Sequence, residues 1–355
     1  MIAKLTSETV VAPSPPQLDR LPSLVPSVNT RFLLFLGALL ITNSHLLKFY
    51  PKSFFVGDGL LGYAVFFFVA GIGLTLSARQ QLRPFPSFYW RRAIRIYPSL
   101  WLVVIPLTIY LGHFNEMSVS DVVYKFIFPT DNTFVGPLMI SYIVLYLLLI
   151  PRNPKVILIA FILLFIPFII LWPFVHQHGK NIPQFFPGNW LWKIANFQAM
   201  LLGSYLAFRL ASLRPSSNLI NTILLLLTFL VYLTLKACFV KGIYSSLFPL
   251  LFFFIFLQFY FLFRLVSSPR FHSLLARIPP VLFLTNLIGA CSLEIYFIQD
   301  VFVFYTPLYK ILFPFNILIL WVLLIPLSYL LERVASWIRS GGRKFTWKIS
   351  PAGGA

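Results

Sequence analysis

Acidic side chains are scarce in this chain. Nine Asp and Glu stand against 28 Lys and Arg in 355 residues, giving a net charge of +19, and all charged residues together make up only 10%. Soluble domains carry about a quarter. With 59% hydrophobic residues, 40 phenylalanines and a mean hydropathy of +0.86, too few polar side chains remain to cover a water-facing globule. A soluble enzyme, a disordered chain and a disulfide-stapled secreted domain are excluded. Cysteine is nearly missing too. Cys238 and Cys291 each lie inside an apolar run and supply neither the spacing nor the ligand number of a disulfide framework or a metal centre, so no metal is expected. The pair His176 and His178 lacks a third ligand and adds none. There is no Walker-type glycine loop, no Gly-x-Ser-x-Gly elbow and no His-Glu-x-x-His, which removes support for nucleotide hydrolysis, serine-esterase and zincin chemistry.

What the chain has in abundance is uninterrupted apolar sequence. A hydrocarbon core of about 30 Å needs roughly 20 apolar residues per helix. On that ruler ten spans are expected, near 31–50, 59–78, 97–114, 134–150, 155–175, 194–211, 219–240, 244–264, 282–305 and 314–338. The runs lack the alternation of a transmembrane barrel, so the fold class is an all-α polytopic membrane protein. Segment 116–128 is short and mixed and is expected at an interface. Loop charge sets the orientation. With the amino terminus inside, cytoplasmic segments gather 20 of the 28 basic residues and external segments 8, so both termini are expected in the cytoplasm. The domain reading is a flexible cytoplasmic tail over 1–30, a transmembrane domain over 31–338 and a basic cytoplasmic tail over 339–355. Residues 1–30 are polar and proline-rich without the hydrophobic stretch of a signal peptide. In a soluble chain the basic excess would suggest nucleic acid. Here the cations fall between apolar runs and no reading module is present, so anionic lipid headgroups are the expected partner and nucleic acid is not.

Ionisable groups inside a bilayer are costly and usually functional. Few are present. His45 falls near the outer end of the first span, in Thr42-Asn43-Ser44-His45, and Glu294 and Asp300 fall in the ninth. Arg31 opens the first span. Fourteen residues separate it from His45, about 21 Å along a helix, and both side chains project within about 40° of one another. Arg31 suits an anionic donor near the cytoplasm, or else a lipid headgroup; His45 suits proton transfer, or else a packed imidazole bonded to a carbonyl. The most basic connection holds Arg91, Arg92 and Arg95, with Arg91 and Arg95 four apart on one helical face. Guanidinium groups match phosphate oxygens through paired hydrogen bonds; a positive-inside loop on lipid is the plainer account. External Asp58, Glu116, Asp121 and Asp131 face a sugar or simply water. Gly71, Gly73 and Ser77 on the second span offer small surfaces for helix contact.

These landmarks, in this order, resemble the acyltransferase-3 family of integral-membrane O-acyltransferases. The matching stretches are Arg31 to His45, Gly62 to Gly71, Phe88 to Pro98 with its Arg-Ile-Tyr-Pro end, Phe197 to Gly203 and Ser292 to Gln299. The resemblance spans about residues 30–335 and implies transfer of an acyl group, acetyl from cytoplasmic acetyl-CoA, to a hydroxyl of a cell-surface or exported glycan. It implies an acceptor that is a glycan or lipid-linked glycan, and a bacterial inner membrane as the location. The family's first-helix histidine maps onto His45 and its arginine most nearly onto Arg31. The family pattern puts ten residues between the two, at the position of Leu34 here; Ala70 stands where a serine is frequent and Gln299 where a histidine is. The expected site is therefore His45 as base with Glu294 orienting it or binding the sugar, and Arg31, Arg91, Arg92 and Arg95 on the phosphates of the donor. An acyl-histidine intermediate is equally compatible. Two other classes stay open: a transporter of a glycan or small anion using the same buried charges, and a glycosyltransferase using an external acid such as Asp58 or Asp131.

Overall fold

The computed structural model describes residues 28–341, apart from 53–54, 57–58, 113–116, 128, 130–133, 178–188, 214–215 and 241–247. Most of both expected tails lies outside these residues, as do Asp58, Glu116, Asp131 and His178. Among the described residues the chain is helical and contains no strand. With no water in a bilayer core, a spanning segment must satisfy its backbone internally, and a continuous apolar run does so as helix.

The helices in chain order are α1 (Thr30–His45), α2 (Gly59–Gln80), α3 (Phe85–Tyr110), α4 (Val119–Val122), α5 (Val135–Leu149), α6 (Pro154–Gln177), α7 (Asn189–Arg209), α8 (Asn218–Val240), α9 (Phe248–Val266), α10 (Pro269–Ala276), α11 (Pro279–Ala290), α12 (Ser292–Tyr305) and α13 (Phe315–Arg339). In each of the ten expected apolar stretches the described residues are mostly helical. Among the described residues, six helices qualify as spans by length and apolarity, namely α2, α3, α6, α8, α9 and α13. A seventh is added if α10 and α11, bent by 108°, count as one broken span. α1 and α5, at 16 and 15 residues, fall short of the roughly 20 that a straight crossing needs.

The ninth stretch is not one helix. It breaks at Cys291, whose φ of −99° and ψ of 14° close α11 and open α12. Sequence alone conceals this because apolar residues continue through the break. α5 and α6, by contrast, are separated as Pro151 to Pro154 suggests, and the turn between them places Arg152 in the left-handed region at φ 51°.

α2 is the central helix, with 67% of its apolar window buried against 11% for α8. It packs on α1 and α7, while α12 packs on α1, α3 and α13. α6 and α8 turn isoleucines and leucines such as Ile162, Ile166, Ile223 and Leu230 outward, as lipid contact requires. Within the segment expected at an interface, residues 117–127 are described, and their end lies beside α3. The Tyr97 hydroxyl donates to the Ile127 carbonyl at 2.6 Å and the Trp101 indole N–H to that of Phe126 at 2.8 Å.

Two glycines explain why α2 and α7 approach so closely. A Cβ on Gly71 would sit 2.0 Å from the Met200 carbonyl oxygen, and one on Gly203 2.1 Å from that of Phe68. Both obstacles are backbone, so the helices themselves would have to part. Gly203→Ala is expected to lose about 1–3 kcal/mol or more, seen as a lowered melting temperature in detergent. Gly73→Ala, where a Cβ meets nothing within 4 Å, is expected to melt like the wild type.

Candidate active site

α1 carries one end of the site on its first turn. A Cβ on Gly289 of α11 would lie 2.3 Å from the Arg31 carbonyl oxygen, so α11 crosses directly over that turn and fixes where the exposed Arg31 side chain emerges. Two adjoining cavities meet there, of about 470 and 340 Å³, and both are lined by Arg31, Arg95, Ser292 and Leu293. The smaller one adds Arg92, Tyr142 and Phe134 with the apolar Leu34, Ala70 and Leu138. The larger one adds Glu294, Asn286, Tyr329, Glu332, Arg333 and Arg339. The break at Cys291 matters here. It presents the start of α12 to both cavities, without a side-chain cap on its first-turn amides, and a helix N-terminus carries partial positive charge.

The inward-turned arginines differ from the expected pair. Arg92 and Arg95 line the cavities, whereas Arg91 is exposed and borders only a minor cleft of about 30 Å³. Arg95 is exposed like Arg91 but lies one turn further along α3, where the cavities open, and Arg92 is turned in by the rotation of α3. Its buried stripe runs through Phe88, Ile96 and Ser99, and Arg92 continues that stripe four residues after Phe88. The Arg92 guanidinium lies over the Phe88 ring at 5.8 Å, and its Nε is enclosed without a hydrogen-bond partner.

The other end of the site is the last residue of α1. His45 Nδ1 stands 3.9 Å from an Asp300 carboxylate oxygen, within ion-pair range but too far for a hydrogen bond. The Phe304 ring meets the imidazole edge-on at 6.2 Å, and Nε2 is enclosed without a partner. The His45 side chain is 25% exposed and that of Asp300 46%, although His45 Nε2 and Asp300 Oδ1 are themselves enclosed. One turn earlier the Thr42 hydroxyl donates to Gln299 Oε1 at 2.8 Å, leaving the fully buried Gln299 Nε2 unpartnered.

Glu294 is placed elsewhere. Its carboxylate, 3% exposed, accepts a 2.7 Å hydrogen bond from Ser99 of α3 and borders the larger cavity. It precedes Asp300 by six residues, about 9 Å along α12. The carboxylate beside His45 is thus Asp300 rather than Glu294. Sequence reasoning gave no role to Thr42, Ser99, Arg333 or Arg339. For α13 a signal existed: Glu332 and Arg339 are two turns apart on one face of an apolar helix, and they form an ion pair at 3.0 Å. α12 runs beside α1, with Ser292 at the cavities and Asp300 at His45, about 12 Å further along the helix.

A family profile described as an acyltransferase domain matches residues 33–335, most of the chain. The chain belongs to the acyltransferase-3 family. No curated protein and no solved structure matches it. Family membership, taken with the long apolar helices, makes the chain an integral membrane acyltransferase. Of the positions that the resemblance singled out, Leu34 and Ala70 line the smaller cavity, and Gln299 accepts a hydrogen bond from Thr42, one turn before His45.

Proposed function

We propose that this protein crosses a bacterial inner membrane ten times with both termini cytoplasmic, and transfers acetyl from cytoplasmic acetyl-CoA to a hydroxyl of a cell-surface or exported glycan. The observation that carries the reading is the polarity of α1: arginine-lined cavities surround its first turn, and a half-enclosed imidazole with a carboxylate neighbour stands at its last residue. An anionic donor suits the first end and a sugar hydroxyl the second. The loop-charge bias puts the arginine end at the cytoplasm.

In the proposed reaction Arg31, Arg92 and Arg95 hold the phosphates of acetyl-CoA while the thioester reaches along α12 toward His45. Neutral His45 takes the hydroxyl proton as the oxygen attacks the thioester carbonyl. The tetrahedral intermediate collapses by breaking the C–S bond, and the imidazolium returns its proton to the departing thiolate. The products are the O-acetyl ester and free CoA. Asp300 faces the positive charge that develops on the ring. Glu294, held by Ser99, is left to shape the donor cavity.

The test compares cells with and without the protein for base-labile acetate on their surface glycans, alongside consumption of labelled acetyl-CoA by the purified protein. Loss of one class of ester, restored by the wild-type gene, is expected. Unchanged esters together with no acetyl-CoA consumption would overturn the reading. Asp300→Asn is expected to slow turnover by about fivefold and at most about a thousandfold, since opposite charges 4 Å apart are worth about 1 kcal/mol in water and about 4 in partly buried surroundings. The KM for acetyl-CoA should stay put, because Asp300 lines neither basic cavity.

A further inference from the structure

The two adjoining cavities are unlike in a way that bears on the donor. The smaller gathers Arg31, Arg92 and Arg95 with no carboxylate, then continues into apolar walls at Leu34, Phe66 and Leu138. The larger shares Arg31 and Arg95 and brings two further guanidinium groups from α13, Arg333 and Arg339. Both side chains are half-buried and make contacts within the protein. Arg333 lies over the Tyr329 ring at 4.8 Å and donates to its hydroxyl at 2.6 Å. Arg339 donates to Glu332 at 3.0 Å and to the Arg95 carbonyl at 3.4 Å. A guanidinium offers five N–H donors, so these contacts orient Arg339 and leave donors for an anion. Both carboxylates on the wall are engaged, Glu332 by Arg339 and Glu294 by Ser99.

We propose that the larger cavity is a second anion subsite, which takes the 3′-phosphorylated nucleoside end of the acyl donor with Arg333 and Arg339 on the phosphomonoester. This rests on the reading of the protein as an acyl-CoA user. CoA carries two separated anionic groups, a pyrophosphate and a phosphomonoester on the ribose, and the protein offers two guanidinium clusters bridged by Arg31 and Arg95. The smaller cavity, apolar beyond its arginines, suits the pyrophosphate and the start of the pantetheine arm. The larger cavity has room for the nucleoside, with Tyr329 as an aromatic face and Asn286 as a hydrogen-bonding edge. The chemistry recognised is a phosphate anion, here a monoester, which an anionic lipid headgroup also presents as a diester.

The test measures binding of CoA and of 3′-dephospho-CoA to the full-length protein in nanodiscs, one set of zwitterionic lipid only and one containing anionic lipid. Wild-type protein is expected to prefer CoA by about tenfold to hundredfold in both, the scale of one or two charge-assisted hydrogen bonds. Arg333→Gln and Arg339→Gln should each erase most of that preference and leave dephospho-CoA binding as it was, while Arg333→Lys retains part of it. Arg92→Gln should weaken both ligands alike. Equal binding of the two ligands by wild-type protein would overturn the subsite while leaving acyl-CoA use intact, and this arm needs no variant to fold. A preference kept by both glutamine variants would also overturn it. So would an effect of those variants seen only in anionic bilayers, which would assign the cavity to a lipid headgroup. If the wild type binds neither ligand, the acyl-CoA reading itself falls.

Discussion

His45→Ala is expected to lower acetyl transfer by about two to four orders of magnitude, the usual contribution of a positioned general base. That corresponds to about 3–5.5 kcal/mol of transition-state stabilisation. The loss should lie in turnover. His45 is fourteen residues from Arg31, about 21 Å along α1, and lines neither basic cavity, so acetyl-CoA should bind the variant as it binds the wild type. Folding should survive as well, because the imidazole is only part-buried and makes no hydrogen bond to a neighbour. Intact donor binding therefore serves as the check on insertion. Acid-quenching the wild type after one turnover separates the two chemical routes: acetyl on the peptide bearing His45 means a two-step transfer, and an unmodified peptide means direct attack. Transfer by His45→Ala at the wild-type rate would remove the base and leave the helical scaffold without its proposed chemistry.

The helices were legible because hydrocarbon demands one thing of a backbone, and apolar runs of the right length record it. The break at Cys291 was not legible, since nothing in Asn286 to Leu293 lowers apolarity enough to announce a boundary. What that break does is tertiary: it delivers Ser292 and Leu293 to both cavities. The same limit explains the arginines of α3. Spacing groups Arg91 with Arg95, but which side of a helix faces inward depends on its neighbours, and Phe88 and Ile96 turn Arg92 in and leave Arg91 out. Asp300 was recognisable as a costly charge in an apolar stretch. Its partner was not, because α1 and α12 are joined only through the rest of the fold. By sequence Arg333 falls near the end of the tenth apolar stretch and Arg339 opens the basic tail, and only their contacts with Tyr329, Glu332 and the Arg95 carbonyl bring them to the site.

Arg95 is the residue on which the donor end of the site converges, and Arg95→Ala is expected to raise the KM for acetyl-CoA about ten- to hundredfold. Hydrogen bonds to charged groups contribute about 1.5–3 kcal/mol each, and a guanidinium–phosphate contact is of that kind. Arg95 lines both cavities, whereas Arg92 lines only the smaller, so its loss should exceed that of Arg92. The fold should tolerate the change: the Arg95 side chain is exposed, and Arg339 reaches the Arg95 backbone carbonyl, which alanine retains. Turnover at saturating donor should fall much less than the KM rises, since the interaction holds the ground state and the transition state alike. Arg91→Ala supplies the contrast. It removes the same charge one turn away on the same helix, from a side chain that borders neither cavity, and should leave the KM within about twofold in moderate salt, where surface charges are screened beyond about 10 Å. Equal effects of the two substitutions would mean that the basic connection acts through its total charge at the membrane surface, and the assignment of a phosphate site to these cavities would then be wrong.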